Sequence, residues 1–220
     1  MVKGGSPIGG TVGFGQVTPY AAVAAGSQEL SLQSGSKTVA VTTVDLTNGR
    51  HYTVVAEAQG KKVQLHPYTD GGAADAKARL RMIHAAPELG SPDVHLGKQT
   101  VAEGVKFTEA TPYLTVSPGT YTLEVTKPGG GGSPIVQKSG VVLSAGTSST
   151  AFLLGSSGEP TRVVVASDQT AAPGAAPRTG LAPLAGGGRP WAAILAIALL
   201  AGLLGGAIQL LVGRRRARAR

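Results

Sequence analysis

The sequence predicts an all-β protein in which two tandem Ig-like or prealbumin-like β-sandwich modules precede a single C-terminal transmembrane α-helix. Three observations lead to this prediction. Short runs rich in Val, Thr, Leu and Ile alternate with turns rich in Gly, Pro, Ser and Asn through residues 1–168. An internal repeat divides that part of the chain into two copies. A run of 22 residues without a charge, 191–212, lies near the C-terminus.

Apolar and polar side chains alternate with a period of two in the second copy, as in half-buried strands. Residues 121–125 (YTLEV) follow this pattern, and so do residues 77–85 (KARLRMIHA). In the second stretch, one face of the predicted strand carries Leu80, Met82 and His84. The opposite face carries Arg79, Arg81 and Ile83. No comparable stretch before residue 169 sustains a helical period of 3.6.

The internal repeat is clearest where FGQVTPY at residues 14–20 matches FTEATPY at residues 107–113, an offset of 93. Further along, the offset grows to 97 and then to 98, where Asp70 matches Asp168. The growing offset predicts a longer loop in the second copy, at residues 127–134. The repeat therefore predicts a first module at residues 1–74 and a second, complete module at residues 75–168.

The first module is expected to lack its opening strand. The second copy begins with RLRMIHAAPELGSPDVHL at residues 79–96, and the counterpart of its first part would fall before Met1. A sheet without that strand exposes unpaired backbone groups. Residues 1–10 also lack the apolar core of a signal peptide. These two features predict that the chain is an N-terminally shortened version of a longer, exported protein.

A membrane helix is predicted at residues 191–213, between a stalk at 169–190 and a tail at 214–220. Twenty-two uncharged residues span about 33 Å, which matches the hydrocarbon core of a bilayer. Trp191 and Val212 mark the two ends of the run, and five cations follow it: Arg214, Arg215, Arg216, Arg218 and Arg220. The positive-inside rule predicts a single-pass protein of the cell membrane with extracellular modules and a cytoplasmic C-terminus. A buried core helix is the alternative.

Two short motifs accompany the predicted anchor. Within the stalk, residues 177–180 (PRTG) resemble the cleavage motif of sortases, although Ala176 stands where Leu is expected. Cleavage between Thr179 and Gly180 competes with an accidental match in a Pro- and Ala-rich segment. Within the span, three small residues at four-residue spacing predict weak helix self-association: Ala198, Gly202 and Gly206. The alternative is the general abundance of Gly and Ala in this chain.

The net charge of +8 does not predict a nucleic-acid partner. Six of the 20 cations lie in the last 32 residues, where there is no acid. The other 188 residues carry 14 cations and 12 acids, a net charge of +2. Nucleic-acid binding needs cations clustered on a folded surface, with aromatic side chains between them. The sequence therefore favours a lipid bilayer as partner rather than DNA or RNA.

Catalytic and metal sites have weak support in the sequence. The chain has no Cys, no G-x-S-x-G motif and no P-loop, and its 12 acids stand in ordinary surface contexts. We therefore expect neither an enzyme nor a bound cofactor. The weak metal candidates are His84, Asp93 and His95, because two of them share a strand face. The alternative is a half-buried structural His84 and a surface His95.

Residues 81–96 (RMIHAAPELGSPDVHL) resemble the "HASP…VDVY" opening motif of a bacterial family of domains of unknown function, number 4397. Residues 107–125 (FTEATPYLTVSPGTYTLEV) are similar to a second segment of that family. This chain departs from the motifs at Ala86, where Ser is usual, and at His95, where Tyr is usual. In the first copy, Gln28 stands where the second segment has Tyr. The resemblance covers most of residues 10–168. It implies an exported, often tandem β-sandwich module of actinobacterial or related surface proteins, without known catalysis or an agreed ligand.

Two function classes follow for a protein of this design. The first is a surface display, adhesion or binding module that contacts an extracellular protein or glycan through loops or strand edges. The second is a structural spacer at the cell surface. An exposed aromatic patch would favour the first class, with Tyr20 and Tyr113 as candidates, although their repeat position favours packing. A metal or small-ligand sensor is a third, weaker alternative.

Overall fold

A computed structural model describes residues 6–60, 62–72, 75–129, 133–156, 159–168, 191–199 and 208–214. A 3₁₀ turn covers Pro87–Leu89. The strands, in chain order, are β1 (Ser6–Val12), β2 (Gln16–Val17), β3 (Ala21–Ala24), β4 (Gly26–Ser34), β5 (Lys37–Leu46), β6 (Arg50–Gln59), β7 (Lys62–Thr69), β8 (Ala78–Ala85), β9 (Asp93–Leu96), β10 (Gln99–Ala102), β11 (Leu114–Val116), β12 (Gly119–Thr126), β13 (Val136–Leu143), β14 (Ser148–Ser156), β15 (Glu159–Asp168), β16 (Trp191–Leu199) and β17 (Ile208–Arg214).

These strands form four sheets, two in each module. In the first module, the sheet β1-β17-β4-β5 packs on the sheet β2-β16-β6-β7, in which β3 also pairs with β16. In the second module, β10-β9-β12-β13 packs on β11-β8-β14-β15. Each pair of sheets encloses its own apolar core. The prediction of an all-β chain is confirmed for the described residues.

The two modules have the same strand order. The central pair of the second module is parallel, β8 with β14, and the central pair of the first is also parallel, β16 with β6. In the other sheet of each module, β9 lies between β10 and β12, and β17 lies between β1 and β4. The C-terminal strands β16 and β17 therefore occupy, in the first module, the positions that the opening strands β8 and β9 occupy in the second.

This arrangement differs from the helix expected at residues 191–213. The described parts of that segment, Trp191–Leu199 and Ile208–Arg214, are strands, and residues 200–207 lie outside the described residues. No helix among the described residues is both long and apolar enough to cross a bilayer. The physical reason for the strands is the predicted gap in the first module. An apolar segment satisfies the open backbone edges of β6 and β4.

The alternation predicted for residues 77–85 is confirmed. Leu80 and Met82 lie in the core of the second module, where His84 is also fully buried. Ile83, on the opposite face of β8, lies in a separate apolar cluster together with Val55 of β6 and Phe152 of β14. That cluster joins the two modules. The two sheets that contain β6 and β14, here called the inner sheets, therefore pack on each other. The outer sheets are β1-β17-β4-β5 and β10-β9-β12-β13.

Candidate functional site

The face between the modules carries the main concentration of buried polar groups in the described chain. Residues 52–58 of β6 and 148–156 of β14 are buried without interruption. A strand at the surface of a sandwich would be buried only at alternate positions. Here the second face of each strand is covered by the neighbouring module. Polar side chains on these faces must find partners there, because water does not reach them.

The centre of this face is an ion pair between Asp70, just after β7, and Arg81 of β8. Both side chains are almost completely buried, and an Nη atom of Arg81 contacts Asp70 Oδ1. The other Nη donates to the Thr69 carbonyl at 2.8 Å, and Nε donates to Thr150 Oγ1 at 2.9 Å. Arg81 therefore links the end of the first module to a strand of the second.

Asp70 also accepts hydrogen bonds from within its own module. Tyr20 Oη donates to Asp70 Oδ2 at 2.8 Å, and Thr53 Oγ1 donates to the same oxygen at 3.0 Å. Burial raises the pKa of the Asp70 carboxyl, while the charge of Arg81 opposes that rise. The Asp70 carboxylate accepts hydrogen bonds from two hydroxyls and a guanidinium, and all three bonds favour its ionised form.

The second module repeats this arrangement around Asp168. Tyr113 Oη donates to Asp168 Oδ2 at 2.6 Å, and Thr150 Oγ1 donates to Asp168 Oδ1 at 2.8 Å. We call the seven side chains together the inter-module cluster: Tyr20, Thr53, Asp70, Arg81, Tyr113, Thr150 and Asp168. Burial and the nearby carboxylates raise the pKa values of Tyr20 and Tyr113, so both hydroxyls stay protonated and serve as donors.

Glu57 of β6 is a third buried acid between the modules. Its side chain is nearly inaccessible, and burial raises its pKa to about 8. His66 Nε2 lies 3.4 Å from Glu57 Oε2, but burial lowers the pKa of His66. Both groups are therefore neutral near pH 7, and their contact is not a salt bridge. Tyr68, 3.4 Å from Glu57, donates to the Thr108 carbonyl of the second module at 2.7 Å.

Four buried acids, three of them on this face, correct one expectation. All 12 acids were placed in ordinary surface contexts, yet Glu57, Asp70, Asp93 and Asp168 are each no more than 5% exposed. The repeat could have signalled two of them, because Asp70 and Asp168 match. Nothing in the sequence signalled that Arg81 pairs across modules, since that contact depends on how the modules pack. Glu57 gave no repeat signal at all, because its counterpart at the offset of 97 is Leu154.

The three weak metal candidates are not brought together. His84 lies in the inner sheet, where Nε2 contacts the Gly90 carbonyl at 2.9 Å and Nδ1 accepts from the Ala86 amide. Asp93 accepts from two backbone amides, those of Gly104 at 2.7 Å and Gly129 at 2.8 Å. His95 lies in the outer sheet beside Thr126. Within the described ranges, no three His, Asp or Glu side chains form a group suited to a metal ion.

The anchor residues fall partly outside the structure. Trp191 and Ala198 lie in β16, and Val212 and Arg214 lie in β17. The sortase residues and most of the tail are outside the described residues, as are two of the three small residues of the span: Thr179, Gly180, Gly202, Gly206, Arg215, Arg216, Arg218 and Arg220. Tyr20 and Tyr113 are partly buried, and both bond to carboxylates rather than presenting an open aromatic face.

A family model described as Domain of unknown function (DUF4397) matches the chain twice, at residues 2–94 and 78–178. The chain belongs to the DUF4397 family. The two matches confirm the tandem copies. They overlap at residues 78–94, which contain β8 and the first two residues of β9, so the opening strand of the second DUF4397 copy also falls within the match of the first. No curated protein matches the chain.

Proposed function

We propose that this DUF4397 protein is a non-catalytic surface protein whose two modules act as one rigid spacer or display unit. The observation that carries the proposal is the Asp70–Arg81 pair, buried between the modules. Domains that move freely meet through small, more polar interfaces. A hinge motion here would separate a buried carboxylate from a buried guanidinium, which is costly in a low-dielectric interior.

The exposed surface favours a spacer over a glycan-binding face built on aromatic rings. The large hydrophobic side chains exposed in the described part of the chain are Val41, at 54%, and Val142, at 66%. Both are aliphatic and stand on the outer sheets of different modules. Tyr and Trp are enriched at binding interfaces, because one end of the side chain is apolar and the other is polar. Binding of an extracellular protein or glycan through loops or strand edges is the alternative function.

The proposal includes the membrane anchor at residues 191–213. Its support is the uncharged length of 22 residues and the arginines that follow. The same segment supplies β16 and β17, and it cannot be a membrane helix and two strands at once. We therefore propose two states of this segment, one in the first module and one in the bilayer. In the second state the modules stand outside the cell on the stalk at 169–190, from which sortase cleavage after Thr179 would release them to the cell wall.

Rigidity can be tested by distance measurements between spin labels. The chain has no Cys, so the double variant Val41→Cys/Val142→Cys places one label on each outer sheet. Double electron–electron resonance on the full chain should give one narrow distance distribution. Adding Arg81→Ala should broaden it, because Asp70 loses its cation. Arg50→Ala, a loss of an exposed arginine, is the matched control and should leave the distribution narrow.

A broad distribution in the labelled chain without further changes would contradict the rigid spacer and favour two independently moving binding modules. A narrow distribution in the Arg81→Ala variant would show that the ion pair is not what holds the modules together. Circular dichroism of each variant checks that the strands remain folded, so that broadening reports on the modules' relative motion.

A further inference from the structure

Arg81 sits in a site made by three side chains of the inter-module cluster. Its Nε donates to Thr150 on the neighbouring strand, and its guanidinium contacts Asp70 of the other module. The guanidinium carbon lies 4.9 Å from the centroid of the Tyr113 ring. A hydroxyl, a carboxylate and an aromatic face are the three partners that suit a planar guanidinium.

The repeat generates a second set of the same three groups. Thr150, Tyr113 and Asp70 correspond to Thr53, Tyr20 and Asp168. These three counterparts line one cavity of about 260 Å³ between the modules, together with Phe152 and several small residues of the β2–β3 and β15 segments. A water molecule occupies about 30 Å³ of liquid volume, so the cavity is large enough for a guanidinium group.

Strand register explains why the cavity lies there. Arg81 of β8 is in register with Thr150 of β14, whereas Ala196 of β16 is in register with Thr53 of β6. The residue two positions earlier follows the same rule, because Arg79 is in register with Ser148 and Ile194 with His51. The strand β16 therefore has the pairing of β8 but neither of its arginines.

Two polar groups have no arginine partner among the described residues, whereas their repeat counterparts have one. Asp168 lines the cavity, and the His51 ring lies 5.6 Å from the ring of Tyr20, another lining residue. Asp168 is 4% exposed, and its partners among the described residues are the hydroxyls of Tyr113 and Thr150, whereas Asp70 also has a guanidinium. His51 Nε2 is buried without a hydrogen-bond partner among the described atoms. Its counterpart Ser148 accepts from Arg79 Nε at 3.1 Å. Buried polar groups are normally partnered, and buried carboxylates normally face a cation.

We propose that this cavity is a guanidinium site, filled by an arginine on a β-strand that pairs with β6 in the register of β16. The arginine would contact Asp168, Thr53 and Tyr20, as Arg81 contacts Asp70, Thr150 and Tyr113. A strand rather than a free small molecule is the occupant, because the edge of β6 that pairs with β16 offers the same parallel pairing that β14 gives to β8. A strand supplied from outside the chain would take the place of β16 there. The occupant is thus a polypeptide segment with the Arg-x-Arg pattern of residues 79–81.

The first test supplies the arginine within the chain. Ala196→Arg should raise the thermal unfolding midpoint of the full chain by about 4 °C, and Asp168→Asn should abolish that gain. The matched control is Ala198→Arg, on the same strand but in register with Val55 of the apolar inter-module layer, and it should lower the midpoint. The proposal is overturned if Ala196→Arg leaves the midpoint unchanged or lowers it, or if the gain survives Asp168→Asn.

The second test supplies the strand from outside and applies even if Ala196→Arg does not fold. The probe is a peptide with the sequence of residues 78–85, ARLRMIHA, added to the full chain. The peptide should bind, and replacing its second arginine by Ala, or Asp168 by Asn, should weaken binding about tenfold. Free L-arginine should bind far more weakly than the peptide. Equal binding of both peptides overturns the guanidinium site, and binding of free arginine as tight as the peptide overturns the strand as its carrier.

Discussion

Glu57 illustrates how much a single buried side chain can depend on pH. The Tyr68 hydroxyl has one proton, and it lies 2.7 Å from the Thr108 carbonyl and 3.4 Å from Glu57 Oε1. It cannot donate to both oxygens at once. A protonated Glu57 resolves the conflict by donating to Tyr68, and a pKa of about 8 keeps it protonated at neutral pH. The protonated form of Glu57 is therefore the form that is compatible with the hydrogen bond from Tyr68 to the second module.

We predict that Glu57→Gln flattens the pH dependence of stability. The folded-state pKa of about 8 lies above the ordinary value of 4.5, so the unfolded chain releases this proton at a lower pH than the folded chain. The stabilisation is complete below pH 4.5 and is lost as the pH rises to 8, by up to about 5 kcal/mol. Urea unfolding at pH 5 and pH 8 measures the difference, which should largely disappear in Glu57→Gln. An unchanged difference would mean that Glu57 is ionised when folded.

The control for this prediction is Glu88→Gln, in the exposed 3₁₀ turn of the second module. It removes the same titratable carboxyl group from an exposed position, and the pH dependence should stay as in the unmodified chain.

At the residue scale, the sequence predicted the repeated tyrosines and aspartates but not their chemistry. The offset of 93 paired Tyr20 with Tyr113 and favoured packing over exposure, in agreement with their part-buried positions. Their bonds to Asp70 and Asp168 could not be predicted, because strand alternation says which face a side chain occupies and not what covers that face. Arg81 shows the same limit: its face of β8 was predicted, its partner in the other module was not.

Among the strands, β14 shows most directly how one element serves two cores. Leu153 lies in the core of the second module, while its neighbour Phe152 lies in the apolar layer between the modules. Both are at most 1% exposed. The strand is therefore part of two separate packing units, one on each face.

We predict different consequences for Leu153→Ala and Phe152→Ala. Each removes a fully buried side chain and should cost about 2–5 kcal/mol. Leu153→Ala leaves a cavity in the core of the second module, so calorimetry should show one cooperative transition at a lower midpoint. Phe152→Ala empties the layer between the modules, so their unfolding should separate into two transitions. A single transition in Phe152→Ala would show that the remaining contacts between the modules are enough to couple their unfolding.

The C-terminal strands show why element type was harder to predict than strand faces. An uninterrupted run of Ala, Ile and Leu suits the bilayer, a buried helix or a strand buried on both faces, and periodicity does not distinguish them. The decision depends on the partner. The sequence predicted both the apolar run and the gap in the first module. It did not predict that β16 and β17 would fill that gap, because they are separated from it by the whole second module.

For the whole molecule, the proposed anchor predicts behaviour in cells. If residues 191–213 occupy the bilayer, the full chain should remain with membranes after alkaline washing. Leu203→Lys, in the middle of the span, should release the chain, because a central lysine costs about 3 kcal/mol or more in a bilayer. Leu181→Lys, in the stalk, is the matched control and should remain bound.

Recovery of the unmodified chain in the soluble fraction would contradict the anchor and favour the strand state of the same residues. In wall-containing cells, the mass of the C-terminal peptide separates the remaining alternatives. A chain that ends at Thr179 indicates sortase cleavage, and a chain that retains Arg220 indicates none.

The placement of β16 beside β6 has a consequence for how the chain matures during synthesis. Arg50 and Ala193, which pair in these strands, are 143 positions apart, whereas Arg79 and Ser148 in the second module are 69 apart. Contacts between distant positions form late, because the long loop must close first. The module made first therefore finishes last. During synthesis, one edge of β6 stays unpaired until β16 emerges from the ribosome. Until then, another strand of suitable sequence can compete for that edge.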